Sequence, residues 1–273
     1  MPHILVAEEP GVGVTGKPRP SEDRVVLLPH AVVVLDGATT LTPGMPSGGW
    51  YATQLGEELS RGLSAEPGAD LSDTLAAAIR SVASTHDLVP GSAPSSTVAI
   101  ARWTEDRVDA LVLADSPVVA FGSAGLRVLE DDQLRRVPRS PGGFRSRLRD
   151  GGGYDDAHLD ALRTGMTATA RYRNTEGGFW VAEADPAAAA HAARASWPRT
   201  ETDALLIATD GVACGVDDYG IFDWPMALDH ARAQGPGAVL VAVRHAERED
   251  PDGVRWPRPK RHDDQALVLV DGL

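Results

Sequence analysis

Cysteine is almost missing from this chain of 273 residues, which has a single one, Cys214. One cysteine excludes an internal disulfide and a zinc site built from several thiolates, and it agrees with a reducing compartment. No histidine that could activate the thiol stands near it in the sequence. We therefore expect Cys214 to be a small core or loop residue and not a nucleophile.

Long hydrophobic runs are also lacking. No apolar stretch approaches the roughly 20 residues that a transmembrane helix needs. The first ten residues, MPHILVAEEP, have neither the basic flank nor the apolar length of a signal peptide. These two observations predict a soluble, cytoplasmic protein without a membrane partner.

Positive charge is scarce, because 26 lysines and arginines stand against 39 aspartates and glutamates, for a net charge of -13. Such a charge repels the phosphate backbone of nucleic acids, so nucleic acid is not an expected partner. The hydrophobic fraction of 42% is that of an ordinary globular protein. The length and composition predict one domain over residues 1–273.

The first part of the chain alternates strand and helix patterns. The β-branched runs at 24–28 and 31–35 are separated by Pro29 and His30, which predicts a hairpin. Apolar residues then recur every three or four positions over 50–63 and 71–86, as in amphipathic helices.

Short apolar runs from residue 96 to 130, separated by the turns TEDR, DSP and GSAG, predict an antiparallel meander. For the remainder we expect the following elements: at most one helix near 157–163 within 138–180, a helix over 185–196, a strand over 203–211, a helix over 224–233, a strand over 238–244, a surface loop over 247–262 and a final strand over 266–270. The pattern predicts an α+β fold in which two antiparallel sheets are covered by helices.

Acidic residues fall repeatedly at the ends of these strands. They are Glu22, Asp23, Asp36, Asp115, Asp210, Asp263 and Asp264. Each alone is explained as a turn residue. If the strand ends lie side by side, however, the carboxylates converge, and they cannot all stay ionised without compensation. Hard divalent cations such as Mg²⁺ and Mn²⁺ provide that compensation.

Six segments, in order along nearly the whole chain, resemble the motifs of the metal-dependent protein phosphatases of the 2C type. They are PSEDRVVLL, VVVLDGAT, SSTVAI, LVLADSPVVAF, LLIATDGV and HDDQALVLV. The resemblance implies an α-β-β-α sandwich of two antiparallel sheets flanked by helical pairs. It also implies hydrolysis of phosphoserine or phosphothreonine in proteins by water that two divalent cations, Mn²⁺ or Mg²⁺, activate. The implied partners are a phosphorylated protein and the kinase that phosphorylates it.

The resemblance also implies roles for individual residues. Asp36 would bridge the two cations, and Asp210 and Asp263 would complete the ligands of one of them. Glu22 and the carbonyl group of Gly37 would bind the other.

Two further aspartates have weaker roles by the same resemblance. Asp23 would act through water, and Asp115 matches a carboxylate that helps to bind a third, weaker ion in bacterial members.

The chain departs from the family pattern at two places. Pro18 stands where the family has the arginine that holds the substrate phosphate. Arg19 is our candidate for that role, although it could equally be a solvated loop residue. The segment after Gly37, ATTLTPGMPSGGW, replaces a glycine-rich continuation. These departures leave open a binding or regulatory module without turnover, and hydrolysis of small phosphate esters is a third alternative.

Two other signals allow alternative interpretations. The segment GVGVTGK, at 11–17, has the glycine spacing of a nucleotide loop, but PRPSED follows it where a helix would have to begin, so we do not expect a nucleotide site. The arginine-rich segment 135–149 is either a solvated surface or a docking patch for an acidic phosphopeptide. Its arginines are Arg135, Arg136, Arg139, Arg145, Arg147 and Arg149.

Overall fold

The computed structural model describes residues 2–138 and 142–273. The strands in these ranges are β1 (His3–Glu9), β2 (Asp23–Leu28), β3 (Ala31–Asp36), β4 (Val98–Trp103), β5 (Arg107–Leu113), β6 (Val118–Phe121), β7 (Arg127–Leu129), β8 (Ala193–Pro198), β9 (Ala204–Ala208) and β10 (Gln265–Asp271). The α-helices are α1 (Gly48–Ala65), α2 (Leu71–Thr85), α3 (Gln133–Arg136), α4 (Phe144–Arg149), α5 (Asp156–Ala170), α6 (Asp210–Asp217), α7 (Trp224–Gln234) and α8 (Gly237–Glu249). Two short 3-10 helices cover Pro186–His191 and Arg199–Glu201.

The described strands form two five-stranded antiparallel sheets. The first sheet has the order β1-β10-β9-β6-β7, and the second has the order β2-β3-β4-β5-β8. β2 and β3 form the predicted hairpin, in which Leu28 pairs with Ala31 and Asp23 pairs with Asp36.

The two sheets pack face to face, and helices cover their outer faces. Successive side chains of a strand point to opposite faces, so one strand serves two cores. In β3, Val32 and Val34 face the other sheet, whereas Val33 and Leu35 pack against α1 and α2. Helices α6, α7 and α8 cover the first sheet in the same way. The predicted four-layer α-β-β-α arrangement is therefore confirmed.

Helices α1 and α2 begin at capping residues. The side chain of Ser47 accepts a hydrogen bond from the backbone N–H of Trp50, and Asp70 accepts from Ser72 at 2.8 Å. Such caps satisfy backbone N–H groups that have no partner within the helix. Both helices lie close to their predicted positions, as do α7, β9 and β10.

The predicted meander is wrong at one place. β4 and β5 pair in the second sheet, but β6 pairs with β7 and β9 in the first. The chain therefore crosses between sheets at the DSP break. Ala114, just before this break, has a φ of 66°, in the left-handed region that residues with a side chain seldom adopt.

The predicted strand at 238–244 is wrong, because this segment belongs to α8. Val239, Leu240 and Val243 are buried, while Val241 is 62% exposed. This spacing follows a helix, since a strand would bury residues 239, 241 and 243 together.

The predicted helix at 185–196 is also wrong in part. Pro186–His191 forms a 3-10 helix, and the chain then becomes β8, the edge strand beside β5. High alanine content favours helix, but pairing with β5 decides the conformation here.

Three smaller differences separate the observed elements from the predicted ones. The strand β1 had not been predicted. The region 138–180 contains two helices, α4 and α5, and α5 is longer than the one short helix predicted there. The segment 247–262 is not simply a surface loop: its beginning continues α8, and Arg258 and Lys260 are each only 6% exposed.

No helix in the described ranges has both the length and the apolar character that crossing a bilayer requires. That the whole chain is a single domain stays a prediction.

Candidate metal and phosphate site

The β2–β3 hairpin brings the first carboxylates together. Asp23, the first residue of β2, lies directly opposite Asp36, the last residue of β3. Glu22 precedes β2, and its carbonyl oxygen accepts a hydrogen bond from the backbone N–H of Gly37 at 3.1 Å. Glu22 and Asp23 are each only 7% exposed. Like charges that oppose each other in a sheet are destabilising, so this placement needs compensation.

Gly37 allows the hairpin to approach the start of α1. A Cβ atom on Gly37 would lie 2.3 Å from the carbonyl carbon of Gly48 and 2.5 Å from the nitrogen of Gly49. No side chain fits in that space. The glycine after Asp36 is therefore required by packing, whatever its carbonyl group binds.

Asp210 joins the cluster from the other sheet, as the first residue of α6. The preceding Thr209 is fully buried, and its hydroxyl donates to Asp23 Oδ2 at 2.8 Å. A Cβ atom on Gly211 would lie 1.9 Å from the carbonyl oxygen of Asp264. This close contact holds the start of α6 against the residues that precede β10.

The carboxyl groups influence one another strongly. Burial is the largest cause of the raised pKa of Asp36, followed by the negative charges of Asp210 and Asp23. Burial also raises the pKa of Asp23 well above its usual value, although the hydrogen bond from Thr209 lowers it. Burial and the charge of Asp263 raise the pKa of Asp210 from 3.8 to about 7. These directions place the four carboxyl groups in one electrostatic cluster.

Asp115 lies beside this cluster at the crossing between β5 and β6. Burial raises its pKa, the positive charge of Arg135 lowers it, and Asp131 raises it again. Asp115 also contributes to the raised pKa of Asp210. Asp131 is 6% exposed and accepts the backbone N–H of Ala114 at 3.2 Å.

Two basic side chains pair with the cluster. Arg19 contacts Glu22 Oε2 at 2.7 Å and Asp264 Oδ2 at 2.6 Å. Lys260 Nζ forms an ion pair with Asp263 and donates to the hydroxyl of Thr39 at 3.2 Å. Arg19 therefore points into the site, as a phosphate clamp would, but its guanidinium is held by two carboxylates.

The structure thus gathers the acidic residues predicted from the strand ends at one edge of the sandwich. Sequence reasoning missed Lys260, Thr39, Thr209 and Asp131. Lys260 stands three positions before Asp263, and this spacing was the one available signal.

The arginine-rich segment is largely paired within the chain. Arg135 binds Asp217, Arg136 binds Asp132 and Arg147 binds Asp155. Arg139 lies outside the described residues. These ion pairs within the chain favour the interpretation as a solvated surface over that of a docking patch for an acidic phosphopeptide.

Three observations test whether a divalent cation fits the site. The side-chain groups are carboxylates, which hard cations prefer, and buried Asp23 Oδ1 has no hydrogen-bond partner in the described part of the chain. However, no three His, Cys, Asp or Glu side chains within 2–138 and 142–273 already form a metal-binding group. The chemistry of the ligands fits a hard cation, but in this structure Glu22 and Asp263 are paired with basic side chains.

Comparisons with known proteins identify the fold. No protein-family model and no curated protein matches the sequence. Among solved structures, the PPM Ser-Thr phosphatase MsPP from Mycobacterium smegmatis, in complex with cacodylate, is 16% identical with a TM-score of 0.57, covering 99% of this chain and 98% of that one. The catalytic domain of the serine threonine protein phosphatase PstP, in complex with two manganese ions, is 14% identical with a TM-score of 0.54, covering 99% and 97%.

A third similar structure is PppA, a key regulatory component of T6SS in Pseudomonas aeruginosa. It is 16% identical with a TM-score of 0.56, and the match covers 100% of this chain and 98% of that one. At these identities the likeness concerns the fold, and it extends over nearly the full length of this chain and of each similar structure. The chain therefore has the fold of the PPM Ser/Thr phosphatases, as the resemblance of its six motifs implied.

Proposed function

We propose that the chain is a metal-dependent phosphoprotein phosphatase that hydrolyses phosphoserine or phosphothreonine. The observation that carries the proposal is the convergence of Asp23, Asp36 and Asp210 from both sheets, with raised pKa values, at one edge of the PPM fold. Such a cluster lowers the stability of the folded chain, and clustered groups with shifted pKa values are typical of active sites.

The cation ligands in this proposal are Glu22, Asp36, the carbonyl group of Gly37, Asp210 and Asp263. When bound, two Mn²⁺ or Mg²⁺ ions activate water at neutral pH and offset the charge that develops on the phosphate. Asp115 would contribute to a weaker third site. Asp23 lies opposite Asp36 in the β2–β3 hairpin, and the hydroxyl of Thr209 donates to one of its oxygens.

Arg19 has the proposed role of holding the substrate phosphate. Its side chain is 21% exposed and lies at the margin of the carboxylate cluster. A guanidinium binds two phosphate oxygens at once, which a lysine cannot reproduce. In Arg19→Lys, the factor by which KM for a phosphopeptide rises should therefore be several times larger than the factor by which kcat falls.

The test is hydrolysis of an aryl phosphate and of phosphoserine and phosphothreonine peptides by the purified chain, with and without Mn²⁺. We expect hydrolysis that depends on the metal and that Asp36→Asn and Asp210→Asn each abolish. Asp271→Asn, at the far end of β10, is the matched control and should retain activity. Activity retained in both site variants would contradict the proposal.

A binding or regulatory module on the same fold is the second candidate. The ion pairs of Arg19 with Glu22 and of Lys260 with Asp263 favour it, because they occupy predicted cation ligands. On this alternative the wild-type chain binds a phosphopeptide but releases no phosphate at any Mn²⁺ concentration. Binding and phosphate release measured on the same peptide distinguish the two candidates.

A further inference from the structure

Lysine is much rarer than arginine in this chain. Of its 26 basic residues, two are lysines, Lys17 and Lys260. Lys17 is exposed, whereas the side chain of Lys260 is 6% exposed. A lysine that is buried beside carboxylates, in a chain that otherwise uses arginine, indicates a position where a compact point charge is needed.

The ammonium group of Lys260 reaches predicted ligands of both cations. It pairs directly with Asp263 Oδ1. It also donates to the hydroxyl of Thr39, which in turn donates to Glu22 Oε2 at 2.9 Å. Burial lowers the pKa of Lys260, while the charge and hydrogen bond of Asp263 and the charge of Asp264 raise it, and the net pKa lies above the usual value. The group is therefore charged at neutral pH.

The loop before β10 holds Lys260 in this position. The guanidinium of Arg258 donates to the carbonyl oxygens of Glu247 at 2.9 Å and Asp250 at 2.6 Å. It also pairs with the carboxylate of Asp250 at 3.0 Å. Arg258 and Lys260 are both almost fully buried. These bonds tie the loop to the end of α8, so Lys260 enters the site from an ordered segment.

We propose that Lys260 is a built-in competitor for the divalent cation at Asp263. Its ammonium group holds Oδ1 of Asp263, and a cation bound to either oxygen of that carboxylate would lie close to the ammonium charge and be repelled by it. A cation that binds Asp263 must therefore displace Lys260 or bind against its charge. Lys260 thereby sets the divalent-ion concentration at which the site fills, and it offsets the carboxylate charge until then. This inference rests on one part of the proposed function, the assignment of Asp263 as a cation ligand, and does not require phosphate hydrolysis.

The first experiment measures Mn²⁺ binding by calorimetry, without substrate, for wild type, Lys260→Met and the control Lys17→Met. Methionine keeps most of the aliphatic chain and removes the charge. We expect Lys260→Met to bind Mn²⁺ at least about tenfold more tightly, equivalent to about 1.4 kcal/mol. Lys17→Met should bind like wild type. Lys260→Gln provides a second, polar variant should Lys260→Met fail to fold in chelator.

The second experiment needs no substitution. In wild-type protein labelled with ¹³C at lysine Cε, a two-dimensional spectrum contains the side-chain signals of two lysines, and Lys17→Met identifies them. Titration with diamagnetic Mg²⁺ should shift the Lys260 signal as the ion pair with Asp263 breaks. The Lys17 signal should stay in place.

Unchanged or weaker Mn²⁺ binding in the Lys260 variants, or a Lys260 signal that Mg²⁺ does not move, would overturn the inference. If wild type then still hydrolyses phosphopeptides, the proposed function survives. If instead the variants bind Mn²⁺ more tightly but no protein hydrolyses phosphate, the proposed function fails and the inference stands. No Mn²⁺ binding in any of the proteins would overturn both.

Discussion

Asp210 shows the energetic cost of the carboxylate cluster at the scale of one residue. Its pKa is about 7 in the folded chain, because burial and the charge of Asp263 disfavour ionisation, compared with a usual value of 3.8. A carboxyl group with a raised folded pKa destabilises the fold once pH exceeds the unfolded value, and the penalty is complete above the folded value. The stability of the metal-free chain should therefore fall as pH rises from about 4 to about 7.

Asp210→Asn should remove this penalty. Each pKa unit corresponds to about 1.36 kcal/mol, so we expect the free energy of unfolding in chelator at pH 8 to rise by on the order of 2–4 kcal/mol. The gain should vanish near pH 4, where the aspartate is protonated in the folded state. Urea unfolding at both pH values measures it. Asp271→Asn, which loses only the pair with Arg232 at 2.7 Å, should show no gain, and an equal gain there would contradict the explanation.

Gly37→Ala tests the packing requirement behind the Asp-Gly motif. The added Cβ atom would overlap the backbone at Gly48 and Gly49, so we expect a loss of about 3 kcal/mol or more in the free energy of unfolding. Gly165→Ala is the control, for which we expect the free energy of unfolding to change in the opposite direction. Gly165 lies inside α5 with open space around it, so alanine there should stabilise the chain by up to about 1 kcal/mol. A small effect at Gly37 would show that the hairpin and α1 can separate.

At the scale of elements, α5 is fastened to the loop that carries Lys260. His158 is 1% exposed and lies edge-on to Phe144 and Tyr154. Its Nε2 atom is 2.9 Å from the carbonyl oxygen of Pro259, while Nδ1 is buried without a partner among the described residues. The neutral ring, with the proton on Nε2, suits these surroundings. A second proton would have no acceptor.

His158 should therefore make the attachment of α5 sensitive to acid. Burial lowers the pKa of His158, as does the charge of Arg147, while Asp155 raises it. When the pKa of a histidine is lower in the folded than in the unfolded state, the folded state becomes less stable as pH falls below the unfolded pKa of about 6.5. Between pH 7 and pH 5 the melting temperature of His158→Gln should fall less than that of wild type. His245→Gln, at a ring that is 71% exposed, should follow the wild-type curve.

Elements were predictable where the pattern is local. The β2–β3 hairpin, α1 and α2 follow from apolar spacing and from turn or capping residues. The error at 238–244 arose because a run of valines suits both a strand and a helix, and only burial of one side decides between them. The error at 193–196 arose because alanine favours helix, whereas pairing with β5 imposes a strand.

At the scale of the whole molecule, the net charge of -13 and the carboxylate cluster act together. Residues from β2, β3, the start of α6 and the start of β10 meet at one edge of the sandwich, so folding brings negative charges together. A ligand that binds the folded state alone stabilises it by mass action. Divalent cations should therefore raise the stability of the chain.

Saturating Mn²⁺ at pH 8 should raise the melting temperature by several degrees. At a Mn²⁺ concentration of 100 times Kd the free energy of unfolding rises by about 2.7 kcal/mol. In a chain of about this size, each kcal/mol raises the melting temperature by about 2–4 °C. The measurement should be made in 0.3 M NaCl, an ionic strength of about 0.3 M, so that general screening of the acidic surface is already present. The Asp36→Asn, Asp210→Asn double variant is the control. An equal rise in that variant would assign the effect to the surface and not to the site.

The sequence by itself determined the order of elements around the site and the residue types at the strand ends, because hairpins and turns depend on neighbours in the chain. The carboxylates Asp23, Asp36, Asp210 and Asp263 were predictable in this way. Only the tertiary structure decided that β6 leaves the second sheet, that Arg19 pairs with Glu22 and Asp264, and that Lys260 reaches Asp263. These features depend on burial and charge contributed by distant segments, which no local pattern records.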